Sequence, residues 1–355
     1  MFFLLLGSNG LIKEKIWMKV QSNSNAKVRD FDFLTPDVAV TAAEAATGKK
    51  FTGFAAVLPS YINRVYELEA CDRSRFVIKF YRPGRWSRQA IIEEHTFMAR
   101  CVERELPIIA PCLLPNGRTW ATACGVAFAL YPKMRGRQLE LNQLTDWRRL
   151  GRLIGRLHEC GDSLGKVEAR LCWNPWEATQ PALERLLEEG VILSAALEKS
   201  FYTVAAELLD ELCRIFSTIP LTMRPIHGDC HGGNILMRPD CGLTLIDFDD
   251  MMVGPAVQDF WLLLPDYPGN CQAELSEFLT GYEEFCNFSY SELQLIEPLR
   301  AMRMVYYLDW CARQRDDFQF RHLYPEWGSD CFWRHEIADL QEQLERIQKV
   351  AGNSF

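Results

Sequence analysis

A chain of 355 residues is longer than one small core accommodates and points to two domains or lobes. Apolar and charged fractions of 48% and 24% are those of an ordinary globular protein, and no apolar stretch approaches the roughly 20 residues of a membrane helix. The formal charge of −8, without a basic stripe, argues against a nucleic-acid surface but leaves room for a nucleotide held by a few local cations. Thirteen cysteines form no CxxC pair and sit mostly among apolar residues, the pattern of reduced core thiols rather than of a disulfide framework or zinc site.

In chain order, Met1 to Leu6 is apolar but lacks a basic flank and is shorter than the roughly 7–15 residues of a signal-peptide core, so the chain reads as unexported. Residues 1–27 read as an N-terminal tail, with Met18 as an alternative start. Residues 28–132 form a β-rich N-lobe. Its strands lie in VLPSYINRVYELEA and SRFVIKFYRP, joined by a CDRS hairpin turn. The run RQAIIEEHTFMARCVERE then reads as a helix with Ser87 as N-cap, followed by two apolar strands, Ile108 to Leu114 and Gly125 to Tyr131, around the Asn116-Gly117-Arg118 turn. Residues 133–355 form a larger C-lobe. Leu150, Leu153, Ile154 and Leu157 recur at helical spacing, further helices cover Pro181 to Glu189 and Leu197 to Phe216, and PLRAMRMVYYLDWCARQ and HEIADLQEQLERIQKV read as late helices. The strand-like pieces NILM and LTLID interrupt them. The fold class is α+β, with two lobes in the manner of a protein kinase.

The interruption carries the chemistry. HGDCHGGNILMRPDCGLTLIDFDD, His227 to Asp250, holds five aspartates beside runs fit for burial, and buried carboxylates are rare unless paired or metal-bound. Asp229 precedes Asn234 by five residues and Asp247 follows a hairpin, the order used in kinase catalytic loops. In that arrangement Asp229 accepts the proton of the incoming hydroxyl, while the Asn234 amide oxygen and the Asp247 carboxylate hold Mg²⁺ against ATP phosphates. Gly228, Gly232 and Gly233 permit a tight loop, and His231 is a polar contact. Asp249 is a candidate for a second metal, and Asp250 reads equally well as structural.

A kinase site also wants a lysine on an N-lobe strand paired with a glutamate on the following helix. Lys79 in FVIKF supplies the cation, and Glu93 or Glu94 the partner, with Glu94 favoured because it borders the apolar face of Phe97, Met98 and Cys101. No glycine-rich loop precedes Lys79. Ser60 and Asn63 in the VLPSYINRVYEL hairpin are candidates to cradle phosphates, against the plain alternative of ordinary turn chemistry.

HGDCHGGNIL, IDFDD and GPAVQDFW together resemble the aminoglycoside phosphotransferase and choline kinase superfamily. SYINRVYEL, RFVIKFYRPGRW, EEHTFM and PLRAMRMVYYLDW bring the chain nearer to the stress response kinase A (YihE/RdoA) family, across most residues from Phe51 onward. The resemblance implies a cytoplasmic, ATP-dependent serine/threonine protein kinase acting in stress survival. It implies Asp229 as base, Asn234 and Asp247 as magnesium ligands, Lys79 on the ATP phosphates, Ser60 in the ATP-binding turn, and Asp259 as a brace of the catalytic loop. Ile62 departs from the acid expected at its position.

Three readings follow. The first is a monomeric protein kinase whose partners are ATP, Mg²⁺ and a Ser/Thr-bearing protein, itself included, with no nucleic acid or membrane. The second is a kinase for an amino alcohol, homoserine-like compound or aminoglycoside, since fold does not fix the acceptor. The third, a nucleotide-binding pseudokinase, would lack the base or a metal ligand, and Asp229, Asn234 and Asp247 are all present. Arg300 and Arg303, three apart on a late helix, could share one face toward the cleft or solvate the surface, and the surface is the reading favoured.

Overall fold

The computed structural model describes residues 33–60, 62–316 and 318–352. The expected tail, 1–27, and the alternative start at Met18 lie outside the described residues. The N-lobe opens with helix α1 (Pro36–Thr47), an element beyond those expected from the sequence. Its ends follow ordinary rules: the Thr35 hydroxyl accepts from Val38 N, Pro36 starts the first turn, and Gly48 closes it at φ 70°.

Strands β1 (Phe51–Val57), β2 (Arg64–Ala70), β3 (Arg75–Phe80), β4 (Ala121–Ala123) and β5 (Val126–Pro132) form an antiparallel sheet in the order β1-β2-β3-β5-β4. The β2–β3 turn is the expected CDRS hairpin, with Asp72 accepting from Ser74 N. Register divides the sheet's two faces. Tyr66, Ile78 and Leu130 are cross-strand partners in the core under α1, whereas Val65, Lys79 and Ala129 form the next row, whose side chains alternate to the opposite face. Helix α2 (Arg88–Glu103) packs there, and Ser87 caps it by accepting from Ala90 N.

The strand expected at Ile108 to Leu114 is not part of this sheet. Pro107, Pro111 and Pro115 lack donors at regular intervals, so the segment runs extended, touching the sheet through Cys112 N→Leu130 O and the C-lobe through a bridge from Ile108 to Leu245. The short β4 takes the edge position instead.

In the C-lobe, α3 (Leu144–Asp162), α4 (Gln180–Glu188), α5 (Ala195–Thr218), α6 (Gln258–Trp261), α7 (Gln272–Tyr282), α8 (Ile296–Gln314), α9 (Phe318–Leu323) and α10 (Asp330–Gly352) enclose the larger core. Two small sheets position the motif: β6 (Arg137–Gln138), β8 (Ile235–Arg238) and β9 (Gly242–Leu245) make one, and β7 (Arg224–Ile226) pairs with β10 (Met252–Gly254) in the other. The loop bearing Asp229 leaves β7 and returns into β8, while Asp247 follows β9. The expected bilobal, kinase-like α+β architecture is the one found.

Candidate active site

Asp229 and Asn234 occupy the loop between β7 and β8, and both are buried. Gly228 allows the approach to Asp229: its φ is +83°, and a Cβ there would lie 2.1 Å from Asp250 O. The Asn234 amide NH₂ donates to Asp229 O at 2.9 Å, leaving its Oδ1 as the acceptor end. Ile246 N donates to Asn234 O at 3.0 Å, which continues the β8–β9 pairing and brings Asn234 beside Asp247. His227 Nε2 donates to Ile246 O at 2.9 Å, tying the start of the loop to the same point.

Asp247 has φ +61° and ψ +70°, a left-handed backbone that costs a non-glycine residue about 1–3 kcal/mol and recurs at functional sites. Among the described residues its Oδ1 is buried without a hydrogen-bond partner, 3.5 Å from Lys79 Nζ. A carboxylate oxygen so placed suits a cation, so the residues present fit the implied Mg²⁺.

Lys79 is a hub. Its Nζ is 3.5 Å from Glu94 Oε1, 3.5 Å from Asp247 Oδ1 and 3.4 Å from Asp249 Oδ1. Burial alone would lower its pKa; Tyr131 and the acids Glu94, Asp249 and Asp247 outweigh that and raise it well above the ordinary lysine value. The choice between the two glutamates resolves in favour of Glu94, which is fully buried, while Glu93 accepts from Glu168 N and Ala169 N at the surface. Burial raises the Glu94 pKa against the opposing pull of Lys79 and Arg170. Tyr81 Oη donates to Glu94 Oε1 at 3.2 Å and hydrogen-bonds with His95 Nε2 at 3.0 Å.

Asp249 spends its oxygens on protein groups. Oδ1 faces Lys79; Oδ2 pairs with Arg85 and accepts from Asn63 Nδ2 at 3.1 Å. A role as ligand of a second cation would require displacing Arg85 or Lys79. Burial would raise its pKa, but Arg85, Lys79 and Arg170 hold it below the usual carboxylate range. Asp250 pairs with Arg85 as well, and burial among the neighbouring acids pushes its pKa up. Asn63 also accepts from Arg82 N at 3.1 Å, so both ends of its amide are engaged. Ser60 is exposed in the β1–β2 connection, where its hydroxyl accepts from Asn63 N at 3.2 Å.

Two cations of this site, Arg170 and Arg85, have no place among the sequence expectations, and a third, Arg303, lies away from its favoured one. Arg170 reaches Glu94 at 2.6 Å, Ala90 O at 2.8 Å and Asp249 O at 2.8 Å, joining both lobes. Arg85, in the PGRW turn after β3, bridges Asp249 and Asp250. Arg303, expected at the surface, sits only 12% exposed on α8 with Nη2 2.7 Å from Asp229 Oδ1. Arg300, likewise expected at the surface, is buried against Trp261 and Tyr267 and pairs with Glu297. The signal available for both was the apolar composition of α8, which is buried on most of its circumference.

Behind the loop, Asp259 is wholly buried and accepts from His227 N at 2.7 Å and Gly228 N at 2.8 Å. His158 Nε2 hydrogen-bonds to its Oδ2 at 3.0 Å, and Tyr282 Oη meets His158 Nδ1 at 2.8 Å.

An N-lobe sheet with a lysine–glutamate pair, set over a helical lobe with this loop, defines a phosphotransferase of the kinase-like class. Comparison with known proteins agrees: the model of the phosphotransferase enzyme family matches residues 55–296. The chain is 37% identical over 292 residues to stress response kinase A of Escherichia coli strain K12, covering 82% of this chain and 87% of that one. It is 37% identical over 295 residues to the serine/threonine protein kinase RdoA of Salmonella typhimurium, with the same coverage. The chain belongs to the phosphotransferase enzyme family and, within it, to the stress response kinase A group. Among solved structures, its fold is similar to amicoumacin kinase hAmiN in complex with AMP-PNP, Ca²⁺ and Ami, at TM-score 0.67 and 19% identity over 88% of this chain and 93% of that one. A microcompartment-associated aminopropanol kinase follows at TM-score 0.64 and 17% identity, over 88% and 98%.

Proposed function

We propose that this protein is an ATP- and Mg²⁺-dependent serine/threonine protein kinase of the cytoplasm that acts in stress survival. The observation that carries the phosphotransfer reading is the convergence of Lys79, Glu94 and Asp247 within 3.5 Å contacts beside the loop bearing Asp229 and Asn234. The protein acceptor rests on the 37% identity to a relative named as a serine/threonine protein kinase.

In this reading Asn234 Oδ1 and Asp247 hold the magnesium ion, which when bound neutralises phosphate charge. Lys79, kept in place by Glu94, engages the ATP phosphates, and the β1–β2 turn with Ser60 and Asn63 lies over them. Asp229 orients the acceptor hydroxyl. The hydroxyl oxygen forms a bond to the γ-phosphorus, the bond from that phosphorus to the β,γ-bridging oxygen breaks, ADP leaves, and the hydroxyl proton passes to Asp229.

Separate roles for the two acids give the test. Asp229→Ala should lower turnover roughly 10²–10⁴-fold while ATP affinity, measured by calorimetry with Mg²⁺, stays within a few-fold. Asp247→Ala should weaken Mg-ATP binding as well as turnover. Equal loss of nucleotide affinity in both variants would contradict this division.

The fold neighbours, named as kinases of amicoumacin and aminopropanol, support a second reading in which the acceptor is a small amino-bearing alcohol. The net charge of −8 suits a cationic acceptor of that kind.

A further inference from the structure

We infer that Arg303 of α8 is the positioning residue of the general base: it holds Asp229 Oδ1 and thereby leaves Oδ2 as the oxygen that meets the acceptor hydroxyl. This inference rests on the proposed kinase function and adds a residue to its machinery.

The two oxygens of Asp229 have unequal surroundings. Oδ1 receives Arg303 Nη2 at 2.7 Å, a charge-assisted hydrogen bond of full strength. Among the described residues Oδ2 has only long contacts, 3.5 Å from Asn234 Nδ2 and 3.6 Å from His231 Nε2. The His231 tautomer is fixed by Gly233, whose N–H donates to Nδ1 at 2.9 Å, so the ring's proton lies on Nε2 and faces Oδ2. Asp229 is therefore tethered through one oxygen and open for a shorter hydrogen bond at the other.

The cation has to come from elsewhere in the chain. Between Asp229 and Asn234 the loop reads Cys-His-Gly-Gly, with neither lysine nor arginine. A carboxylate only 1% exposed is costly to bury without a paired positive charge, and Arg303 is the cation in contact with it. Arg303 is itself anchored: Met302, Met304 and Val305 beside it on α8 are buried. Arg300, one turn earlier, is committed to Glu297 and to the faces of Trp261 and Tyr267, so the two arginines serve different parts of the lobe.

The experiment compares wild type, Arg303→Lys, Arg303→Gln and Arg303→Ala by kcat and acceptor KM at neutral pH, with Mg-ATP affinity and thermal melting as controls for fold. Arg303→Gln should lose at least tenfold in kcat, with ATP affinity and KM within a few-fold. Arg303→Lys should retain more of the rate than Arg303→Gln, and added guanidinium should restore part of the Arg303→Ala rate. Crystal structures of wild type and Arg303→Gln should show the Asp229 carboxylate leaving its wild-type rotamer when Arg303 is lost, a readout independent of turnover. An unmoved Asp229 carboxylate in folded Arg303→Gln, or a kcat within about threefold of wild type, would overturn the inference. Wild-type protein inactive toward every acceptor would instead overturn the kinase reading, with the crystal structures still deciding the role of Arg303.

Discussion

Asp259 has no solvent around it and carries the Asp229-bearing loop on two backbone donors, His227 N and Gly228 N, with His158 as a third partner. Removing its carboxylate leaves three buried polar groups without their acceptor, and each such loss costs about 1–3 kcal/mol. Asp259→Ala should therefore destabilise the protein by roughly 3 kcal/mol or more, read from the urea midpoint at unchanged slope; a loss below about 1 kcal/mol would contradict the bracing role. Residues of this kind differ in how far the sequence reveals them. Asp229, Asn234 and Asp247 are legible because their spacing encodes a loop and a hairpin, and Lys79 because a lone cation in an apolar strand demands a partner. Arg85, Arg170 and Arg303 are not, since each finds its acid far along the chain: 164 and 165 residues for Arg85, 76 for Arg170 and 74 for Arg303. An arginine in a polar-looking position carries no local mark of a buried contact.

Among the elements, the packing of α3 against α7 reaches the active site indirectly. Gly151 and Gly155 on α3 and Gly281 on α7 let the two backbones touch: Cβ atoms there would lie 1.9 Å from Phe278 O, 2.6 Å from Tyr282 O and 2.0 Å from Arg148 O. Tyr282, next to Gly281, hydrogen-bonds His158 on α3, and His158 holds Asp259. Alanine normally favours a helix over glycine by about 1 kcal/mol. Here Gly281→Ala should instead destabilise by about 1–3 kcal/mol and reduce turnover, because the helices must separate. A stabilised variant would mean that the close crossing relaxes freely. At this scale the sequence reads well where periodicity is strong, as in α2, α3 and α8. It misleads at Ile108 to Leu114, where apolar content suggests a strand but Pro111 within the segment and Pro107 and Pro115 at its ends withhold donors. It also contains the capping signals of α1, Thr35-Pro36 at the start and Gly48 at the end, which mark that helix more clearly than its alanine-rich interior does.

Across the whole molecule, the lobes meet through charge. Lys79 faces Asp247 and Asp249, Arg85 reaches Asp249 and Asp250, Asn63 donates to Asp249, and Arg170 returns from the C-lobe to Glu94 and Ala90 O. This is the place where ATP phosphates and a divalent cation belong in the proposed function, and the balance of acids and bases there has the character of a site for a charged ligand. Two lobes and a phosphotransfer motif were readable from the sequence; the clasp between them was not, because it depends on which distant charges the fold brings face to face. The most direct test of the account is phosphate transfer from γ-labelled ATP with Mg²⁺, comparing wild type with Asp229→Ala on the protein itself, on a generic basic protein and on amino-alcohol acceptors. The account expects label on protein that vanishes in Asp229→Ala. Label confined to a small acceptor would contradict the protein-kinase assignment, and transfer that survives the loss of Asp229 would contradict the mechanism itself.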